Sequence, residues 1–254
     1  MGADALTLTT GGLHLGGGRL AICAPLTGAT LDGLRAEAAK AIAAAPDLVE
    51  LRADGFEAVA NEESLMAALA MLNETLPGTP VLFTLRAAFE NGLRDIPREA
   101  ALRTYVQAMQ SGYVQLIDTE LANDAGFLGV VLQCARANGV RVILSHHNFD
   151  HTPGADAMLA TLQAMQRAGA DIAKIAVMPR SKADVQALYD AMTRFRADAA
   201  IPHIGIAMGA LGAETRVLGA QYGSVLTYAA LDEASGSAPG QLTVSAMRAA
   251  LAGL

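Results

Sequence analysis

Tryptophan is absent from the 254 residues and aromatic side chains reach only 4%, so the core must be built from Ala, Val, Ile, Leu and Met. That composition argues against a sandwich of aromatic-rich strands and for helices packed on a sheet. Cysteine is nearly absent as well. Cys23 and Cys134 stand alone and far apart, with no C-x-x-C, which argues against a disulfide framework or a structural zinc site and makes a reducing cytoplasm the expected location. Basic side chains are the minority, 18 against 25 acidic ones, and the net charge of −7 gives no field for nucleic acid or an anionic bilayer. No apolar run approaches the roughly 18 residues that cross a membrane. The opening MGADALTLTTGG lacks a basic segment followed by an apolar one, so no secretory leader is expected, and no membrane or nucleic-acid partner either.

What the chain does have is alternation. Apolar strand-like runs at 20–26, 47–52, 80–86, 113–118, 140–145, 171–177, 202–208 and 224–230 are separated by Ala- and Leu-rich helical stretches. Thr30 and Asn123 are the expected N-caps of two of these helices, and Gly139 the expected stop of the second. Eight such units with a closing helix at 242–251 predict a single α/β domain over 1–254, a (β/α)8 TIM barrel. Upstream, the first 19 residues read as a β-hairpin turning at Gly11 and Gly12, placed to cap the bottom of the barrel. The Gly/Ser/Pro-rich segment 232–241 after the eighth strand suits a lid loop.

In such a barrel, polar groups at strand C-termini point into the top face and serve chemistry more often than architecture. Here they are Glu50 and Arg52, Arg86 with Glu90 just beyond it, Asp118 and Glu120, the histidines of SHHNFDH, and Arg216 after the seventh strand. Lys174 lies inside the apolar run DIAKIAV. A lysine is almost never fully buried without a partner or a task. Desolvation and nearby arginines would favour its neutral, nucleophilic form, suited to imine formation with a carbonyl; the alternative is an ion pair with Glu50 or Asp118 across the barrel. His146 and His147 are adjacent on a strand and so point to opposite faces, which argues against one shared metal ion. One imidazole near Lys174 suits general acid/base work. Asn148 and His151 belong with the turn before Pro153, while His14 and His203 read as surface or core residues. Three arginines at one mouth suggest a surplus of positive charge for a substrate carboxylate, although Glu50 could pair with Arg52 or Arg86.

The segments VELRADGF, LFTLRAAFENG, IDTEL, SHHNFDHTP, AKIAVMP, GSVLTYA and SAPGQ, in this order, resemble those of the type I 3-dehydroquinate dehydratases, the Schiff-base lyases of the shikimate pathway. The resemblance implies a barrel that is usually a homodimer and uses no metal or other cofactor. It implies Lys174 as the imine-forming residue, His147 as the catalytic histidine, Glu90 as that histidine's partner, and Arg216 as the grip on the substrate carboxylate. It further implies Glu50, Arg52 and Arg86 around the ring hydroxyls of 3-dehydroquinate, with Ser237 and Gln241 in the closing loop. The chain departs from the pattern at Asn91, where glycine is usual and the left-handed region is expected, at Thr215 for serine, at Ile206 for methionine, and at His146, where an aromatic is frequent. Competing readings are a class I aldolase, which would require a phosphate site, a metal-dependent hydrolase built on the histidines, and a binding protein without turnover.

Overall fold

A computed structural model describes residues 6–233 and 241–254. An antiparallel hairpin, β1 (Thr7–Thr10) and β2 (Leu13–Gly16), precedes eight parallel strands that make the barrel wall: β3 (Ala21–Leu26), β4 (Leu48–Arg52), β5 (Val81–Thr84), β6 (Leu116–Glu120), β7 (Arg141–Asn148), β8 (Ile172–Val177), β9 (His203–Ala207) and β10 (Leu226–Tyr228). Their order in the sheet is β10-β3-β4-β5-β6-β7-β8-β9, and a parallel bridge between His203 and Ser224 brings its two ends together. All eight apolar runs are therefore strands, in sequence order around a TIM barrel, with their ends shifted by at most three residues. The helices between them are α1 (Leu31–Ala44), α2 (Glu62–Thr75), α3 (Arg98–Gln110), α4 (Ala125–Asn138), α5 (Ala155–Ala168), α6 (Lys182–Asp198) and the short α7 (Thr215–Leu218), with α8 (Val244–Ala252) last.

Local chemistry sets the helix ends. Thr30 caps α1 by accepting from the Gly33 amide, and Gly139 ends α4 at φ 69°. The cap of α4 is Asp124, not Asn123: the Asp124 carboxylate accepts from the Phe127 amide, while the Asn123 amide donates to Thr119 and Glu120 at the end of β6. A carboxylate is the better acceptor for a helix N-terminus, which leaves the neighbouring carboxamide free for the loop.

Two cores follow from strand alternation. Alternate strand positions such as Val49, Leu51, Val142, Leu144, Ala173 and Ile175 pack outward against the helices, whereas Leu48, Leu82, Leu116, Ile143, Ile172 and Ile204 close the interior near the strand starts. Leu15 of the hairpin is buried against that inner layer, and the Thr10 hydroxyl donates to the Gln115 carbonyl at the foot of β6. The hairpin thus caps the bottom, with Gly11 and Gly12 at positive φ in its turn. Above the apolar layer the same parity brings Glu50, Thr84, Asp118, Ser145 and Lys174 into the interior, so the barrel becomes polar toward its upper end.

His203 at the foot of β9 is buried, with Nε2 donating to the Tyr222 carbonyl and Phe195 edge-on to its ring. Burial pushes it down to about 4 from 6.5. A folded value below the unfolded one means that the unfolded chain binds the proton first, so stability is complete above pH 6.5 and falls as pH drops through 4. The expected outcome is a thermal midpoint that declines between pH 6.5 and 4, with His203 contributing roughly 3 kcal/mol. His203→Gln should flatten the decline, checked by calorimetry across that range.

Candidate active site

A cavity of about 350 Å³ opens at the strand C-termini and is lined by Glu50, Arg52, Arg86, Glu90, His147, Lys174, Arg216 and Gln241, together with Tyr228 and Met208. Eight of the residues singled out from the sequence therefore meet in one place; Ser237 lies outside the described residues. Tyr228, Asp54 and Ser145 are additions that the sequence did not single out. A buried tyrosine on the last strand, a buried aspartate two residues past an arginine, and the serine before the histidines are weak signals on their own.

At the floor, Lys174 is almost fully buried on the interior face of β8. Its Nζ lies 2.7 Å from Asp118 Oδ2 and 3.0 Å from the Tyr228 hydroxyl, and 4.5 Å from the centre of the tyrosine ring. The lysine therefore has the cross-barrel carboxylate partner that was one of its two readings, so arginine charge does not act on it unopposed. Asp118 holds two cations at once, its Oδ1 accepting from Arg86 at 2.9 Å and from the Ser145 hydroxyl at 2.6 Å. Burial alone would raise the Asp118 carboxyl, but Arg86 and Lys174 outweigh it and hold it far below the usual carboxylate range.

The arginines divide differently from the pairing expected of them. Arg86 spends its guanidinium on Asp118, Glu120 and Ser145, and although burial opposes its charge the two carboxylates more than offset that. Arg52 forms a fork with Asp54, both contacts at 2.9 Å. Asp54 also accepts from the amides of Arg86 and Leu93, tying the end of β4 to the loop after β5. Glu50 takes the Thr84 hydroxyl at 2.8 Å and pairs with neither arginine. The surplus of charge belongs to Arg216 alone: it is buried, its Nε has no partner, and among the described residues no carboxylate reaches it. Burial lowers it to about 10, which still leaves it charged at neutral pH. Thr215 sets its position, since the hydroxyl accepts from the Ala207 amide and donates to the Gly212 carbonyl, fixing α7 to the end of β9.

His147 is held from one side. Its Nδ1 is 2.9 Å from Glu90 Oε2, and the same oxygen accepts from the His147 amide at 3.0 Å. Glu90 arrives on a single 3-10 turn, Ala88–Glu90, closed by Asn91 at φ 59° in the expected left-handed conformation. Gly92 follows where a Cβ would sit 2.0 Å from the Arg86 carbonyl, so only glycine lets the loop fold this tightly. Burial would raise the Glu90 carboxyl, but hydrogen bonds from His146 and His147 hold it at about 2. An ionised carboxylate only accepts, so the proton of His147 sits on Nδ1 and Nε2 is the basic atom. Burial, with Arg86 adding to it and Glu90 opposing, pushes His147 down to about 3. The ring is therefore neutral at working pH, and it stacks at 17° on Phe149 at the cavity rim.

His146 is not the idle outward neighbour that alternation implied. It is absent from the cavity lining, yet its Nδ1 reaches the other Glu90 oxygen at 3.2 Å. Among the described residues no group of three His, Cys, Asp or Glu side chains is arranged to hold a metal ion. No helix of the described residues is long and apolar enough to cross a membrane.

Asp118 neutralises two buried cations, so Asp118→Asn is expected to cost about 3–5 kcal/mol. Arg194→Ala, which breaks an exposed pair with Asp156, should leave stability nearly unchanged. Denaturant unfolding of the two variants side by side checks the contrast.

The family model described as Type I 3-dehydroquinase matches residues 22–254. The 3-dehydroquinate dehydratase of Geobacillus thermodenitrificans is 37% identical over 238 residues, spanning 93% of this chain and 91% of that one. That of Klebsiella pneumoniae is 39% identical over 232 residues, spanning 91% and 92%. Among solved structures, 3-dehydroquinate dehydratase from Geobacillus kaustophilus superposes with a TM-score of 0.93 at 35% identity, covering 98% of this chain and 96% of that one. The type I enzyme from Clostridium difficile, solved with covalently modified comenic acid, gives 0.93 at 32% identity and covers 98% of both chains.

Proposed function

The chain belongs to the type I 3-dehydroquinase family and is a hydro-lyase of that kind, and from this premise we propose that it dehydrates 3-dehydroquinate to 3-dehydroshikimate through an imine on Lys174. The observation that carries the reading is the pairing in one cavity of an amine fixed by Asp118 and Tyr228 with a neutral imidazole fixed by Glu90. The covalently modified comenic acid in the Clostridium difficile relative is consistent with covalent chemistry in this family.

Arg216, buried and lacking a carboxylate partner, is the group to receive the substrate carboxylate, and a bidentate guanidinium contact would set the ring's orientation. Once deprotonated, Nζ of Lys174 adds to the C3 ketone, the carbonyl oxygen leaves as water, and the protonated imine makes the C2 hydrogen acidic. Nε2 of His147 takes that proton, which is why a neutral ring matters. The electrons left at C2 form the enamine and then expel the C1 hydroxyl, which departs as water with the proton that His147 returns. Base and acid act in sequence on one face, so one imidazole serves both steps and the elimination is syn. Water then hydrolyses the imine and frees Lys174. Glu50 and Arg52 are placed for the ring hydroxyls, and Gln241 for the rim. Arg86 faces the cavity too, but both its terminal nitrogens are engaged, so its larger task is to hold Asp118. A place in the shikimate pathway, a homodimeric assembly and a cytoplasmic location belong to the same proposal and rest on the resemblance to the family.

Borohydride reduction with 3-dehydroquinate present is expected to add the reduced ligand's mass to the Lys174 peptide; an unmodified peptide would sink the imine. His147→Ala should still trap the ligand while turnover falls by about 10²–10⁴. Steady-state rates are expected to be unchanged by a chelator.

A further inference from the structure

We propose that His146 is a positioning residue of this reaction, gripping one oxygen of Glu90 so that the other stays on His147. The inference rests on the reading of His147 as the proton carrier. It begins with the end of β7. The ladder between β6 and β7 stops at Glu120 and Ser145, while β7 runs on to Asn148. Beyond that point Glu90 substitutes for the missing strand, its Oε2 accepting the His147 amide. A carboxylate lying along the strand edge, rather than above one face, is within reach of side chains from both faces. That is how two adjacent residues pointing opposite ways come to share it.

The contacts are asymmetric in their use. Oε2 takes the amide and Nδ1 of His147 at 3.0 and 2.9 Å, and Oε1 takes Nδ1 of His146 at 3.2 Å. A carboxylate held through one oxygen can still turn about its last torsion, because sp² termini have broad minima. Held through both oxygens, its plane is fixed, and with it the direction in which Nε2 of His147 faces the cavity. The need for a second grip follows from where Glu90 comes from: a short turn closed by a left-handed Asn91, outside the strand ladders of the sheet. Glu90 is buried, so water is a poor substitute for the lost donor. His146 does not line the cavity and so acts only through Glu90.

The test compares His146→Phe with His146→Asn, whose side-chain amide can donate from near the place of Nδ1. Phenylalanine should lower kcat roughly tenfold, as expected for one charge-assisted hydrogen bond, with KM and borohydride trapping at Lys174 unchanged. Asparagine should restore kcat to within about twofold. A packing role would not separate these two variants in kcat alone. Wild-type kcat in His146→Phe, or an asparagine variant as slow as the phenylalanine one, overturns the proposal. His147→Ala is measured alongside: if it keeps turnover, the assignment of His147 is wrong and this inference falls with it, whereas an inactive His147→Ala with a normal His146→Phe refutes the role of His146 only.

Discussion

Asp118 carries the upper half of the barrel. It is a fully buried carboxylate on β6, and its two oxygens hold a lysine from β8, an arginine from the end of β5 and a serine from β7. Four strands are thus joined by charge above the level where apolar packing stops. A buried carboxylate with one cation would be a doubtful source of stability, because desolvation of both partners cancels much of the attraction. With two cations and a hydroxyl its accepting sites are largely filled, and the cost of burying any one member is shared. The same contacts settle where Lys174 Nζ sits, so architecture and reactivity draw on one cluster.

From that floor the charge is distributed so that, among the described residues lining the site, each ionised group but one has a partner. Arg86 answers to Asp118 and Glu120, and Arg52 to Asp54. Arg216 is the exception, a buried cation at the wall with an unpartnered Nε. An isolated charge of that kind is costly in the empty cavity and becomes favourable when an anion arrives, which makes it a device for selecting substrate rather than for holding the fold. Glu90 and His147 are the converse case. Two groups in direct contact are both pushed down, the carboxyl to about 2 and the imidazole to about 3, so that one is charged and the other neutral at working pH. The charged member orients and the neutral member reacts.

Much of this was legible in the residues. Eight apolar runs at regular spacing gave the barrel because a fully buried parallel strand leaves a continuous apolar signature. Lys174 stood out because charge inside such a run is rare, and Glu50 because it lies at a strand C-terminus. The partners were not legible. Glu50 pairs with Thr84, and Arg52 with Asp54, because contacts across a barrel depend on stagger between strands, which sequence spacing does not contain. Glu90 was marked by its place just beyond a strand end, but its pairing with His147 came only from the family resemblance, since nothing in a loop carboxylate announces that it folds back onto a strand 57 residues later. Alternation correctly separated His146 from His147 and then misled: both stay paired to β8, but the β6 side of β7 is open beyond Ser145, and a carboxylate lying along that edge meets both.

The central claim is that a neutral His147, its proton on Nδ1 and its Nε2 free, waits beside an amine fixed by Asp118. Nitrogen-15 NMR of the histidine side chains across pH tests it most directly, because the two ring nitrogens shift differently in each tautomer and in the cation. His147 is expected to keep the Nδ1–H form from neutral pH down to about 4, well below the ordinary histidine value of 6.5. Titration near 6.5, or a proton on Nε2 at neutral pH, would contradict it.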